Sequence, residues 1–241
     1  MPAEQTLYRR ILLKVSGEAL TGEGAYGIDP KTLSIVAGEI RNLQRHHVEI
    51  AVVVGGGNIF RGLNASQYGI GRVPADHMGM LATVINGIAL SQVLNHMGAD
   101  CRVMSAIDMA GIVEPYVTER AVGHLAGGRV VIFAAGTGNP YFSTDTAAAL
   151  RALEIQAEVF LKATKVDGVF DSDPEEDPSA KRFGRLSYQE VLERNLKVMD
   201  LTAVSLAMGQ GLPIIVFNLK EKGNIERVVR GEKVGTLISG L

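Results

Sequence analysis

The sequence has no tryptophan, a single cysteine, and aromatic residues at only 5% of its 241 positions. Cys101 stands alone, which excludes an intrachain disulfide and any zinc site built on paired cysteines. No run approaches 18 consecutive apolar residues, and the first ten positions carry Glu4 and no apolar stretch. Neither a membrane span nor a secretory leader is therefore expected, and the expected setting is the reducing cytoplasm. An excess of one charge is also missing. Lys and Arg number 24 against 26 Asp and Glu, for a net charge of −2, whereas a general nucleic-acid binder needs a basic face. The sequence contains no Gly-Lys dipeptide and hence no Walker A loop. The dinucleotide fingerprint Gly-x-Gly-x-x-Gly fails where Phe60 stands in the place of its third glycine. Gly-x-Ser-x-Gly and His-Glu-x-x-His are absent, and the five histidines show no ligand spacing.

What is abundant is glycine and aliphatic residues. Glycine occupies 28 positions, about 12% against a usual ~7%. The glycines cluster after apolar runs rather than recurring with a period, so collagen-like and low-complexity organisations are excluded. Val- and Ile-rich runs at 10–15, 49–54, 101–106, 129–134, 159–163 and 213–217 are predicted strands, with 235–239 as a last one. The 49–54 run is apolar at nearly every position, as expected of a strand covered on both faces. Between the runs lie segments of helical period. Asp29 and Pro30 supply an N-cap and a first-turn proline, and Leu33, Val36, Ile40 and Leu43 then mark one helix face. Met78, Leu81, Ile85 and Ile88 mark a second long helix, its apolar face assigned to the core or to a subunit contact. Further helices are predicted at 144–154, 187–194, 200–209 and 224–230. The alternation predicts an α/β fold, a three-layer αβα sandwich with a mainly parallel central sheet. The acidic run at 171–178 reads as an exposed loop between the halves. No linker separates independent domains, and one domain with two lobes is expected.

Ligands of such sheets bind at the carboxyl ends of strands, where backbone N–H groups hold anions if side chains stay clear. Three loops meet that description: Lys14-Val15-Ser16-Gly17, Gly55-Gly56-Gly57-Asn58, and Gly136-Thr137-Gly138-Asn139-Pro140. Three phosphate-capable loops in one small sheet suggest two phosphorylated ligands. Phosphoryl transfer needs positioning and cations more than covalent chemistry. Lys14 and Arg61 can supply the cations, and Asp145, opening a helix after the third loop, can orient Lys14 by an ion pair. Each has a plainer alternative. Lys14 can snorkel at a strand end, Asp76 and Asp145 can serve as helix-start carboxylates, and the glycines can simply turn the chain.

Five segments in this order and spacing resemble the bacterial uridylate kinases of the amino acid kinase family. They are residues 9–20 (Arg-Arg-Ile-Leu-Leu-Lys-Val-Ser-Gly-Glu-Ala-Leu), 54–62 around the three glycines, and 76–83 (Asp-His-Met-Gly-Met-Leu-Ala-Thr). The remaining two are 135–145, ending on Ser143-Thr144-Asp145, and 162–170, Lys-Ala-Thr-Lys-Val-Asp-Gly-Val-Phe. The resemblance implies ATP-dependent phosphorylation of UMP with Mg²⁺ bridging the nucleotide phosphates. It implies an acceptor lobe at about 1–155 and an ATP lobe at about 156–241.

By the same resemblance, Lys14, Val15, Ser16, Gly17, Gly57 and Arg61 match ATP-phosphate positions, and Thr164, Phe170 and Asp173 match the adenosine pocket. Gly56, Asp76, Thr137, Gly138, Asn139, Pro140, Tyr141, Phe142, Ser143 and Thr144 match the UMP site. A homohexamer, inhibition by UTP, and activation by GTP near Gly22, Glu23, Gly24, Ala25, Tyr26 and Gly27 are implied as well. Two competing functions remain: a kinase of this type acting on a carboxylate or carbamate, and a nucleotide-binding protein without turnover on the same scaffold.

Overall fold

A computed structural model describes residues 6–62, 69–174, 176–196 and 198–240. The first five residues and Glu175 of the acidic run lie outside the described residues. The strands are β1 (Arg10–Val15), β2 (Glu49–Val54), β3 (Cys101–Ser105), β4 (Glu114–Pro115), β5 (Val130–Ala134), β6 (Val159–Thr164), β7 (Arg185–Ser187), β8 (Ile214–Asn218) and β9 (Thr236–Ser239). They form one sheet in the order β4-β3-β5-β2-β1-β6-β8-β9-β7. Neighbours from β4 to β8 run parallel, and only the β8–β9 pair is antiparallel. The helices are α1 (Pro30–Gln44), α2 (Arg72–His96), α3 (Thr118–Ala126), α4 (Thr144–Glu154), α5 (Tyr188–Glu193), α6 (Leu201–Gln210) and α7 (Asn224–Val229).

Period-two alternation divides the core. Ile11, Leu13 and Val15 of β1 point to the layer of α1, α2 and α7, where they meet Val36, Ile40, Leu90 and Val228. Leu12 points to the opposite layer of α3 to α6, against Ala148, Ala149, Ala152 and Phe160. Such a side chain is fully buried on both flanks (Leu12 is 0% exposed), and truncating it to alanine is expected to cost about 2–5 kcal/mol. The same alternation sends Lys14 to the α4 side. That direction decides the chemistry below.

The predicted strands and helices form with ends displaced by about one residue, and Asp29 caps α1 by accepting from the Thr32 N–H at 2.8 Å. Three elements carry too little pattern to be foreseen. β4 has two residues, β7 has three, and α3 buries only Ala121 and Leu125.

Two expectations need correction, and a third is narrowed from core or subunit contact. The long helix starts at Arg72 behind Gly71, so Asp76 sits in its second turn and does not open it. Met78, Leu81 and Ile85 are 39%, 46% and 51% exposed, so that face is not core in the single chain. α2 is apolar on nearly all sides, which hides its inward face from a periodicity argument. It is also long and apolar enough to cross a membrane, yet half of its most apolar window is buried within the fold. Finally, the acidic run lies within the C-terminal half, between β6 and β7.

Candidate active site

Lys14 on β1 and Lys162 on β6 are register partners on adjacent parallel strands, and both face α4. α4 starts at the Ser143 cap, whose hydroxyl oxygen accepts from the Thr146 N–H at 3.1 Å, and this places Asp145 in the first turn. There the carboxylate meets the positive end of the helix dipole and both lysines. Lys162 Nζ donates to Oδ2 at 2.6 Å. Lys14 Nζ lies 2.9 Å from Oδ1, an ion pair without an aligned hydrogen bond. All three residues are at least nine-tenths buried. Burial works to raise the Asp145 pKa, but Lys14 and then Lys162 overrule it and hold the carboxyl at about 2. Burial pushes the Lys162 ammonium below its ordinary value, opposed by Asp145. The cluster therefore sets two lysines of adjacent strands against one carboxylate at a helix start.

The first two predicted phosphate loops come together over this cluster. Gly55 N–H donates to Val15 O at 2.9 Å. A side chain at position 17 would stand 2.7 Å from Gly55 O and 2.8 Å from Gly57 N, so only glycine permits the approach. Val15 itself points into the α1–α2 layer, leaving backbone alone for a ligand. Arg61 is not part of the buried cluster. It pairs instead with Glu18 at 2.6 Å, and Lys165 lies 3.7 Å from the other Glu18 oxygen. All three side chains of this second cluster are between 39% and 55% exposed.

Two cavities flank the lysines. The smaller, 140 Å³, lies over the ends of β2 and β5 and is lined by Gly56, Gly57, Asp76, Thr137, Phe142 and Thr144, among others. Gly79, Met80 and Thr83 of α2 complete its wall. Thr83 is a positioning group that the sequence did not disclose: its hydroxyl accepts from the Ala135 N–H at 2.8 Å and donates to Met80 O at 2.7 Å. It thereby holds Ala135 at a left-handed φ of 63°, a conformation that costs about 1–2 kcal/mol in a non-glycine residue.

Asp76 accepts from Arg72 Nε at 2.8 Å and from the Tyr141 N–H at 2.7 Å, tying α2 to the third loop. Gly138, Asn139, Pro140, Tyr141 and Ser143 do not line this cavity. Ser143 instead donates to Asp200 at 2.8 Å, as does Thr146 at 2.7 Å. Burial acts to raise the Asp200 pKa, and these hydroxyls with the Thr202 N–H outweigh it and lower it.

The larger cavity, 670 Å³, lies over the ends of β6 and β8 and is lined by Thr164, Phe170 and Asp173 together with Val166, Leu196 and Val216. The acidic loop forms its rim. Residues 22–27 line neither cavity. They form a mostly exposed turn, joined at Gly27 to Asn58 by a 2.8 Å bond from the Gly27 N–H to Asn58 O. Cys101 is buried, and burial raises its thiol to about 12, so it is inert. The sequence reasoning also passed over Lys162, Glu18 and Asp200. Only Lys162 left a readable signal, an unpaired charge at an inward position of an apolar strand.

A parallel α/β sheet whose strand ends carry glycine loops, with a lysine pair buried around one carboxylate and a cavity on either side, is the arrangement expected of a phosphate-binding α/β fold. The comparison with known proteins places it within that class. The amino acid kinase family model matches residues 9–218, and the chain belongs to that family. A UMP kinase structure from Bacillus anthracis is 43% identical, with a TM-score of 0.94 over 96% of both chains. A UMP kinase from Ureaplasma parvum is 37% identical, with a TM-score of 0.90 over 96% of this chain and 98% of the other. A uridylate kinase from Archaeoglobus fulgidus is 30% identical, with a TM-score of 0.75 over 95% and 99%.

Proposed function

We infer that this chain transfers the γ-phosphoryl group of MgATP to UMP, releasing ADP and UDP. The observation that carries this is the position of the Lys14–Asp145–Lys162 cluster. Its strands, β1 and β6, sit mid-sheet, with β5 and β2 under the smaller cavity on one side, while β6 itself and its other neighbour β8 end under the larger. UMP occupies the smaller cavity, in the lobe of about residues 1–155. The adenosine of ATP occupies the larger, in the lobe of about 156–241. The phosphates then meet over the two lysines.

A UMP phosphate oxygen attacks the γ-phosphorus. The new O–P bond forms as the bond to the β,γ-bridging oxygen breaks, and the electron pair leaves with ADP. No general base is required, because the attacking oxygen is already an anion at neutral pH. Lys14 and Lys162 neutralise charge on the moving group, each by about 3 kcal/mol in the transition state, and Asp145 holds both ammoniums in place. Arg61 and the N–H groups of Gly17 and Gly57 hold the donor phosphates. Mg²⁺ is taken as part of the MgATP substrate.

Asp76 reads the ribose hydroxyls. A site built to bond a hydroxyl rejects the analogue lacking it, so kcat/KM for UMP is expected to exceed that for dUMP by about 10²–10⁴, and Asp76→Asn should shrink the ratio. A ratio that survives the substitution assigns ribose recognition elsewhere. The proposal extends to a homohexamer, for which the exposed Met78, Leu81 and Ile85 stripe offers a subunit contact, to inhibition by UTP and activation by GTP near residues 22–27, and to a cytoplasmic setting. The deciding experiment is ADP release with UMP, CMP, dUMP, dTMP, aspartate and carbamate as acceptors. Turnover is expected with UMP foremost. Turnover with a carboxylate or carbamate and none with UMP would overturn the assignment, and ATP binding with no turnover on any acceptor would make the chain a binding protein.

A further inference from the structure

Asn58 ends the triple-glycine motif and is 1% exposed, and Asn86, on α2, is 0% exposed. The two amides face each other. Asn86 Nδ2 donates to Asn58 Oδ1 at 2.7 Å, and Asn58 Nδ2 donates to Asn86 Oδ1 at 3.0 Å. Each nitrogen spends its second hydrogen on a backbone carbonyl: Asn86 on Gly55 O at 2.7 Å, Asn58 on Gly27 O at 2.9 Å. All four amide hydrogens are satisfied within the protein, and neither residue lines a cavity. The pair therefore acts on the loop and touches no ligand.

The loop needs such a device. Three successive glycines have the widest backbone freedom of any tripeptide and no side chains by which to be held. The Gly55 carbonyl and the Gly56 N–H belong to one planar trans peptide and point in opposite directions. Drawing the carbonyl inward onto Asn86 therefore turns the Gly56 N–H outward, on the side of the cavity that Gly56 lines.

We propose that Asn86 is a positioning residue for phosphate binding: by fixing the Gly55–Gly56 peptide it aims the Gly56 N–H at the acceptor phosphate. The proposal rests on the assignment of that cavity to UMP. Its own content is the selective loss of phosphate recognition when the amide is removed.

The test compares UMP with uridine, which lacks the phosphate, on the wild type and on Asn86→Ala. The variant is expected to weaken UMP about tenfold, the effect of one buried hydrogen bond, while uridine changes less than about twofold. A general structural role would move both ligands together or lower thermal stability alone, and either result overturns the proposal. Equal wild-type affinity for UMP and uridine would instead defeat the cavity assignment, whatever Asn86 does. Should Asn86→Ala not fold, a crystal structure of the wild type with UMP decides. The Gly56 nitrogen is expected within about 3.2 Å of a phosphate oxygen, and a Gly56 N–H directed away from the phosphate refutes the proposal.

Discussion

Two clusters in this protein have the same composition, one carboxylate between two cations, and opposite environments. Lys14–Asp145–Lys162 is buried, with side chains 10–12% exposed. Arg61–Glu18–Lys165 is 39–55% exposed. In the first, water screens little and the groups are held by two strands and a helix start, so their charge is fixed before any ligand arrives. In the second, screening leaves each pair worth only about 0–1 kcal/mol, and the side chains are free to exchange Glu18 for phosphate oxygens. In the proposed reaction the buried cluster acts on the transferring group, and the exposed one receives and releases the nucleotide.

The difference can be broken at Asp145. Asp145→Asn leaves two buried ammoniums facing each other and is expected to cost about 3–5 kcal/mol of stability at neutral pH, read by urea unfolding. The Asp145 carboxyl lies at about 2 in the folded protein against 3.8 when unfolded. The native state therefore binds its proton less readily than the unfolded chain. The stabilisation is complete above about pH 4 and is lost as pH falls toward 2. The gap between wild type and Asp145→Asn should thus narrow by about 2 kcal/mol across that window. A gap constant with pH would deny the carboxylate its charge.

Next in size, Lys14→Ala and Lys162→Ala should each lower kcat by about 10² or more, roughly 3 kcal/mol, with UMP affinity largely kept. A loss below about tenfold in either variant removes that lysine from the transition state. Arg61→Ala sharpens the contrast from the other side. Its main effect should be a several-fold rise in KM for ATP, with a smaller change in kcat. Unchanged constants for both nucleotides would refute its phosphate role. The smallest effect belongs to Glu18→Gln, which removes the anion competing for Arg61 and Lys165. Thermal stability should shift by less than about 1 kcal/mol, while KM for ATP falls two- to fivefold at low salt and converges on wild type at high salt. A rise in KM instead would show that Glu18 organises the cations rather than competing with phosphate.

Much of this site could be read in the chain before folding. The glycine loops do follow apolar strands, and Lys14 and Asp145 do form the anticipated ion pair. Arg61 was grouped with them but belongs to the exposed cluster, because a residue beyond a glycine turn has no local rule fixing its direction. Asp76 was read as a helix opening. Gly71 takes that place, and an acidic residue in a second turn carries no capping signal.

The sequence by itself determined the layers. Period-two alternation forces Leu12 and Lys14 to one side of β1, and Phe160 and Lys162 to one side of β6, whatever those strands pair with. It did not determine that β1 and β6 are neighbours, 149 residues apart at their first residues. Strand order is a property of how helices and crossovers pack, and no local signal encodes it. Only the tertiary structure set the two lysines side by side in register, lowered Asp145 between them, and closed the Asn58–Asn86 pair beneath the loop. Each of these is a buried polar group brought from distant sequence, stable only when its partner is in place.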